Sequence, residues 1–483
     1  MPPPNIVLIM SDQHRRDGLG CVGNPHATTP NLDRLAGQGV VFESFYSNAP
    51  LCLPARMSFL TGRHPSELRC WSNHDALSSQ VSTFAHSLGI AGYETVLSGR
   101  MHIVGPDQHH GFERRPIGDF RGTWLWGGWK LEPVLGELSD TPGMRRASME
   151  KSGAGRTGYM EYDERIRDAT LEWIRERSAR QGEKRPFCLV AGFLAPHCPF
   201  VCPREYFERH REGMTLPEVP EAPLHPIHRQ MRRDSGIEDL SEEEILRTRA
   251  AYYGLVEWFD GVVGEVISAL EGAGMLENTV VIYTSDHGDQ LGDHGMWWKS
   301  TFYESSVGVP FVISWPGRLE GGRRVRENAG LMDVAPTLIE MAGGPELPNG
   351  SGRSFLPLLE GRGEDWSDEV FAEMLDGHGP RRMLRRGPWK LNVYHGHEPE
   401  LYNMEDDSQE LHNRAGQPGC AEVLESLQER IYADWDPEWV VRQAERNRRE
   451  RELLGRWVRA VEPHDPFGWP ATEEEKPENY VEQ

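Results

Sequence analysis

The 483-residue chain lacks a positive charge balance: 52 Lys and Arg stand against 75 Asp and Glu, a net charge of −23. A field of that sign argues against a nucleic-acid backbone or an anionic membrane as partner. A local cluster of cations can still bind a small anion. No apolar run approaches the ~20 residues that span a bilayer. The opening stretch MPPPNIVLIMSDQ has no basic region ahead of its apolar residues and no cleavage signal. Cysteine is sparse and odd in number, seven residues at scattered spacing, so there is no disulfide framework. Cys198 and Cys202 lie close together, but no second pair completes a zinc site. Internal repeats are absent. These absences lead to the expectation of a soluble cytoplasmic protein without nucleic-acid or membrane partners.

What is present is a series of short apolar runs: NIVLIM (5–10), ETVLSG (94–99), FCLVAGFLA (187–195) and NTVVIYTS (278–285). They are near-continuous rather than alternating, as in strands buried on both faces. Helical patterns lie between them. The longest, 241–272, opens on Ser241 with Glu244 three residues on, a capping box, and ends at Gly272 and Gly274. This alternation predicts an α/β fold with a mostly parallel central sheet flanked by helices. From about 365 the texture changes to short antiparallel strands (EVFAEML, RRMLRRGPWKLNVY, PELYNM) and a helix near 421–434. The expected organisation is a catalytic unit over 1–364, a smaller C-terminal α+β domain over 365–440, and a charged helix with an extended tail over 441–483, the tail a docking arm or in part disordered.

Each buried run ends in polar residues. The first delivers Asp12, Gln13 and His14, the second Arg100 and His102, the third His197, and the fourth Asp286, His287 and Asp289. Ligands of open α/β sheets bind outside the carboxyl ends of the strands, so four such ends predict one site. A single Ser-Asp after a strand is most often a helix cap; two such pairs at strand ends read as metal ligands. Oxygen donors suit Ca²⁺ or Mg²⁺, and an imidazole shifts the balance toward Mn²⁺. Arg56, Arg100 and Lys299 are each, taken singly, ordinary surface charges; with His102 and His197 they would surround a tetrahedral oxyanion and supply a leaving-group acid. Asn73, in WSNHD, is a weaker substrate-binding candidate, because asparagine there is often a turn residue. Cys52 leads a C-x-P-x-R run with Pro54 and Arg56, and Thr61-Gly62-Arg63 follows. A buried structural cysteine and a thiol nucleophile are both open readings of Cys52.

Taken together these residues resemble the formylglycine-dependent sulfatases of the alkaline phosphatase superfamily, over about 4–435. CLPAR followed by TGR (52–63) is the most specific match. It is supported by PNIVLIMSDQ, TPNLDRLAGQGVVFESFYSNAP (29–50), SDHGDQLGDHG (285–295), KSTFYESSVGVPFVISWPG (299–317) and ELYNMEDDSQELHN (400–413). The resemblance implies that a formylglycine-generating enzyme oxidises Cys52 to an aldehyde whose hydrate attacks the sulfur of a small sulfate ester. It implies Asp12, Gln13, Asp286 and His287 as ligands of one divalent cation, Ca²⁺ or Mn²⁺. Arg56 would orient the diol, Lys299 bind sulfate oxygens, and His197 rather than His102 protonate the leaving group. Arg100 stands where the family usually has lysine; it would clamp the anion and not act as an acid. GRMHIVGPDQHHGFERR (99–115) is most similar to the choline sulfatase branch, and phosphonate monoester hydrolases share the Asp-Gln and Asp-His pairs. Trp124, Trp126 and Trp129 offer an aromatic cage for a quaternary ammonium. A homo-oligomer, dimer or tetramer, is expected. A phosphonate monoester or phosphodiester hydrolase with the same machinery, and a non-catalytic anion binder with unmodified Cys52, are the competing readings.

Overall fold

The computed structural model describes residues 3–120, 123, 124, 126, 144–180, 182, 185–464, 480 and 481. In chain order its strands are β1 (Asn5–Ser11), β2 (Val40–Phe42), β3 (Phe45–Tyr46), β4 (Glu94–Gly99), β5 (Gly153–Arg156), β6 (Phe187–Gly192), β7 (Val201–Cys202) and β8 (Thr279–Ser285). Then follow β9 (Phe311–Ser314), β10 (Arg323–Val325), β11 (Ala329–Gly330), β12 (Glu369–Asp376), β13 (Gly379–Arg386), β14 (Trp389–Tyr394), β15 (Glu400–Asn403) and β16 (Tyr480–Val481).

The four apolar runs become β1, β4, β6 and β8, adjacent and parallel in a seven-stranded sheet of order β10-β2-β9-β8-β1-β6-β4. β9 runs antiparallel to both its neighbours, which makes the sheet mixed but mostly parallel. Alternate side chains of β1 enter opposite cores: Val7 and Ile9 one, Ile6, Leu8 and Met10 the other. Helices Gly158–Ala179 and Glu242–Gly272 cover the first face, and Cys52–Thr61, Phe84–Ile90 and Val334–Ala342 the second. Each fully buried aliphatic side chain contributes roughly 1.5–3 kcal/mol. A one-residue slip would exchange the two faces and lose that fit, so the register is fixed. In the helix Glu242–Gly272 both halves of the Ser241–Glu244 capping box form.

Strands β12–β15 make the C-terminal antiparallel sheet, followed by the helix Ala421–Tyr432. Lys390 of this sheet has its buried Nζ 2.7 Å from Glu304 Oε1, in the short helix Glu304–Val307, and 2.8 Å from Glu410 Oε1. The next helix is Pro437–Val461 and runs through the break expected at 440. Asp436 sets its start, accepting from Glu438 and Trp439 amides with Pro437 in the first turn. At the tail, Tyr480–Val481 pairs antiparallel with Gly155–Arg156 of β5. All seven cysteines are free. No helix among the described residues is long and apolar enough to cross a membrane.

Candidate active site

Parallel pairing puts Ser11 opposite Ser285, so the chain leaves the sheet at Asp12 and Asp286 side by side. Beneath them Cys52 opens the helix Cys52–Thr61, at the end where the helix dipole favours an anion. That helix ends as its sequence suggests, at Gly62 with φ 65°. On the other side Gly288 lets Ser305 come so close that a Cβ would lie 2.1 Å from its carbonyl oxygen.

Asp12, Cys52, Asp286 and His287 are fully buried, with one potential ligand atom each, all within 4.8 Å of one another. Cys52 Sγ is 3.3 Å from His287 Nε2 and 3.7 Å from Asp12 Oδ1. His287 Nε2 is 3.6 Å from both Asp12 Oδ1 and Asp286 Oδ1. Adjacent ligands of a cation held at about 2.3–2.6 Å stand roughly 3.3–3.7 Å apart in octahedral geometry. The donor set therefore fits one divalent cation. Gln13 stands beside the group: its Oε1 accepts from Lys299 Nζ at 3.0 Å, and its Nε2 donates to Asp289 Oδ2 at 2.5 Å.

Cations hold the carboxylates from behind. Arg56, itself fully buried, donates Nε to Asp286 Oδ2 at 2.8 Å and Nη2 to Asp12 Oδ2 at 3.2 Å. Its other partners are the Arg100 and Ser11 carbonyls, at 3.0 and 3.3 Å. Arg100 donates Nε to Asp12 Oδ2 at 2.7 Å, and its Nη2 lies 3.5 Å from His102 Nδ1. Its Nη1 is buried without a hydrogen-bond partner among the described residues. Burial and Cys52 push the Asp12 carboxyl up, but Arg100, His197 and Lys299 outweigh them and hold it well below the usual range. Burial pushes Asp286 up against the pull of Arg56.

Around Cys52 the charge is positive. Lys299 Nζ donates to Sγ at 3.2 Å. Burial alone would raise this thiol; Lys299 and His287, with hydrogen bonds from His102 and His197, bring it well below its ordinary value. His197 Nδ1 lies 2.6 Å from the Cys198 carbonyl, and burial, then Lys299, pull the ring down to about 4. His102 is fixed through its backbone N–H, which donates to Asp119 Oδ2 at 2.9 Å.

Asn73 and the tryptophans have partners of their own. Asn73 Oδ1 accepts from Leu53 N at 3.0 Å, and so caps the helix that starts at Cys52. Trp124 packs on Trp126 and, at 5.4 Å between ring centroids, on Trp457 of the terminal helix. Their indole N–H groups donate to His464 and His74 carbonyls. Trp129 lies outside the described residues. His14 is turned to the Tyr283 hydroxyl and the Gly18 carbonyl, away from the cluster. Asp289 has a role that spacing did not reveal: besides Gln13 it accepts from the Leu291 and Trp298 amides at 2.8 and 3.2 Å, fixing the loop that leads to Lys299.

The sequence profile described as Sulfatase matches residues 4–344, and that of the N-sulphoglucosamine sulphohydrolase C-terminal region matches 292–435. The chain is 35% identical to a choline-sulfatase of Rhizobium meliloti over 92% of each chain. It is 29% identical to the multifunctional alkaline phosphatase superfamily protein PehA of Trinickia caryophylli, over 92% of this chain and 97% of that one. Among solved structures, the phosphonate monoester hydrolase of Agrobacterium radiobacter superposes with a TM-score of 0.72 at 24% identity, covering 89% of this chain and 95% of that one. The chain belongs to the sulfatase family of the alkaline phosphatase superfamily. It is a sulfuric ester hydrolase, with Cys52 at its metal site.

Proposed function

We propose that the protein hydrolyses a small alkyl or aryl sulfate monoester through a formylglycine made from Cys52. The observation that carries this is the position of Cys52 Sγ, fully buried, with Lys299 Nζ at 3.2 Å and His287 Nε2 at 3.3 Å. An inert structural cysteine is normally found among apolar neighbours, whereas this one faces a cation and the metal ligands. Hydrated formylglycine carries two hydroxyls there. One attacks sulfur as the S–O bond to the alcohol breaks; the other then gives up its proton and re-forms the carbonyl, releasing sulfate. A divalent cation, Ca²⁺ or Mn²⁺, bound by Asp12, Asp286 and His287, with Gln13 as a further ligand, supplies charge neutralisation and a more acidic hydroxyl.

Lys299 and Arg100 bind the sulfate oxygens in this reading, and Arg56 keeps the two carboxylates in place. His197 protonates the leaving alcohol. Because burial and Lys299 keep its ring neutral, that role requires the incoming anion to raise its proton affinity. His102 completes the anion's surroundings, and Asn73 acts through the helix rather than on the substrate. Since Sγ is buried, a formylglycine-generating enzyme must reach Cys52 before this region folds. Residues 1–364 form the catalytic unit in this proposal, 365–440 the smaller domain and 441–483 the terminal helix and tail. The same proposal includes a cytoplasmic location and a homo-oligomer, the latter read by light scattering.

A second reading, phosphonate monoester or phosphodiester hydrolysis, is favoured by the similarity to PehA. Those substrates share the single negative charge of a sulfate monoester, so the same cations accept them. Intact-protein mass spectrometry reads the conversion of Cys52. Side-by-side kcat/KM on sulfate and phosphonate esters tests the rest: a higher value on the phosphonate would reverse the assignment. His197→Ala is expected to harm alkyl sulfates far more than activated aryl sulfates; equal losses would move the acid role to Lys299 or His102.

A further inference from the structure

His102 and His197 reach Cys52 from loops after two different strands, and one turn of the helix Gly158–Ala179 holds both loops. Tyr159, Tyr162 and Asp163 are buried and spaced i, i+3, i+4, so they share one face. Asp163 accepts from Leu194 N through Oδ1 and from Ala195 N through Oδ2, both at 2.8 Å. That is the loop in which His197 N donates to Leu194 O at 2.8 Å, and in which Ala195 O receives Asp12 N at 3.4 Å. Tyr162 donates its hydroxyl to Gly118 O at 2.5 Å. The next residue, Asp119, accepts the backbone N–H of His102, which is held at φ 58°. The Tyr159 ring lies 5.9 Å from that of His197 and 5.5 Å from that of Phe120.

Asp163, like Asp289, is a fully buried carboxylate without an ion pair among the described residues. Burial pushes it up to about 7 in spite of the two amides. A buried charge of this kind is costly. Two consecutive N–H groups, freed where the chain leaves β6, are what its two oxygens satisfy together.

We propose that Asp163 and Tyr162 are positioning residues which set the two site histidines separately, Asp163 acting on His197 and Tyr162, through Gly118 and Asp119, on His102. The kinetic part of the test rests on the sulfatase reading above. Asp163→Asn keeps the shape and one acceptor, but turns an NH₂ toward an amide N–H. Tyr162→Phe removes only the hydroxyl.

The experiment is a set of double-mutant cycles on the matured, metal-loaded protein, with an alkyl sulfate as substrate and melting temperatures recorded alongside. Asp163→Asn is expected to lower kcat by roughly 10–100-fold, the range of one general acid–base contribution being impaired but not removed, with KM little changed. In a His197→Ala background the same substitution should have almost no further effect, while in a His102→Ala background it should keep its full factor. Tyr162→Phe should show the opposite pattern. Equal factors in both backgrounds would mean a merely structural anchor and overturn the proposal. If His197→Ala alone left activity intact, the functional reading would fail instead. Crystal structures of Asp163→Asn and Tyr162→Phe then decide positioning without activity. The His197 ring should leave the Cys198 carbonyl only in the first, and the His102 backbone should shift only in the second; unmoved histidines in both would refute it. Should Asp163→Asn not fold, the Tyr162→Phe arm decides alone.

Discussion

Arg100→Lys tests the residue that the proposed function makes the clamp of the anion. The guanidinium has three nitrogens. Nε is used on Asp12 at 2.7 Å; Nη2 is 3.5 Å from His102 Nδ1, beyond a good hydrogen bond; Nη1 has no partner among the described residues. The unused capacity is therefore on the two terminal nitrogens, the fork that matches one edge of a sulfate group. Lysine keeps the charge, but it offers one nitrogen, which cannot serve Asp12 and the anion with the same geometry. The loss is of one charge-assisted hydrogen bond, about 1.5–3 kcal/mol, or roughly 10–150-fold at 1.36 kcal/mol per tenfold. A clamp that holds ground state and transition state alike shows this in KM. KM for the sulfate ester and the inhibition constant of inorganic sulfate should rise together by that factor, with kcat changed much less. The assay is steady-state kinetics at saturating metal, with the metal content of both proteins measured. If KM and the sulfate constant stay put while kcat falls, Arg100 acts on the transition state only, and the clamp argument is refuted.

Other outcomes follow from the same geometry. Cys52→Ser should leave the fold intact and lower steady-state turnover by orders of magnitude, because serine has no second hydroxyl with which to expel sulfate; a single-turnover burst is the most it should give, and near-normal turnover would sink the diol mechanism. Arg56→Met removes the charge bridging Asp12 and Asp286, and breaking such a buried set costs about 3–5 kcal/mol, read as a lowered melting temperature that added divalent cation partly restores. Acid should weaken the joint between the helix Pro226–Ser235 and the C-terminal sheet. His225, stacked on Tyr394 at 4.2 Å between centroids, is pulled by burial to about 4, and burial lowers His228 too. The unfolded chain takes up these protons near 6.5, so stability present above that pH is lost as pH falls toward 4. The melting temperature should drop across that window, and less so in His225→Phe; equal acid sensitivity of the two proteins would reject the assignment.

The layout of the site was legible because the sheet imposes it. A run buried on both faces has to end where its strand ends, and in parallel strands those ends share one edge. Asp12, His102, His197 and Asp286 were therefore brought together by topology alone. The fine roles were not legible, because they depend on which groups fill the space between strand ends. That Arg56 bridges two carboxylates, and that Asn73 accepts from the first turn of the helix at Cys52, could not be read from their spacing. Nothing in the spacing of Tyr162 and Asp163, on the covering helix, distinguishes them from its other core positions: both are simply polar groups at an inward i, i+1 pair. The antiparallel β9 likewise leaves no mark, since a strand buried on both faces reads alike in either direction.

The contact made by Asn73 extends the support of Cys52 beyond the main sheet. Asn73 lies in a turn closed by Asp75, whose Oδ2 accepts from the Trp71 and Ser72 amides, each at 2.9 Å. The other oxygen of Asp75 is bound by Arg451, and Asn447 donates to it at 3.3 Å and to the Arg69 carbonyl at 2.7 Å. Both partners belong to the helix Pro437–Val461. The N-terminus that presents Cys52 is thus capped by a side chain whose own turn is held by the helix Pro437–Val461. A neutral cap of this kind is worth only about 1 kcal/mol to stability. Its consequence for catalysis is larger in principle, because Leu53 N is adjacent to the reacting residue, and misplacement by about 1 Å is enough to lose two orders of magnitude in rate. The C-terminal helix therefore belongs to the support of the active site even though none of its residues is among the site residues.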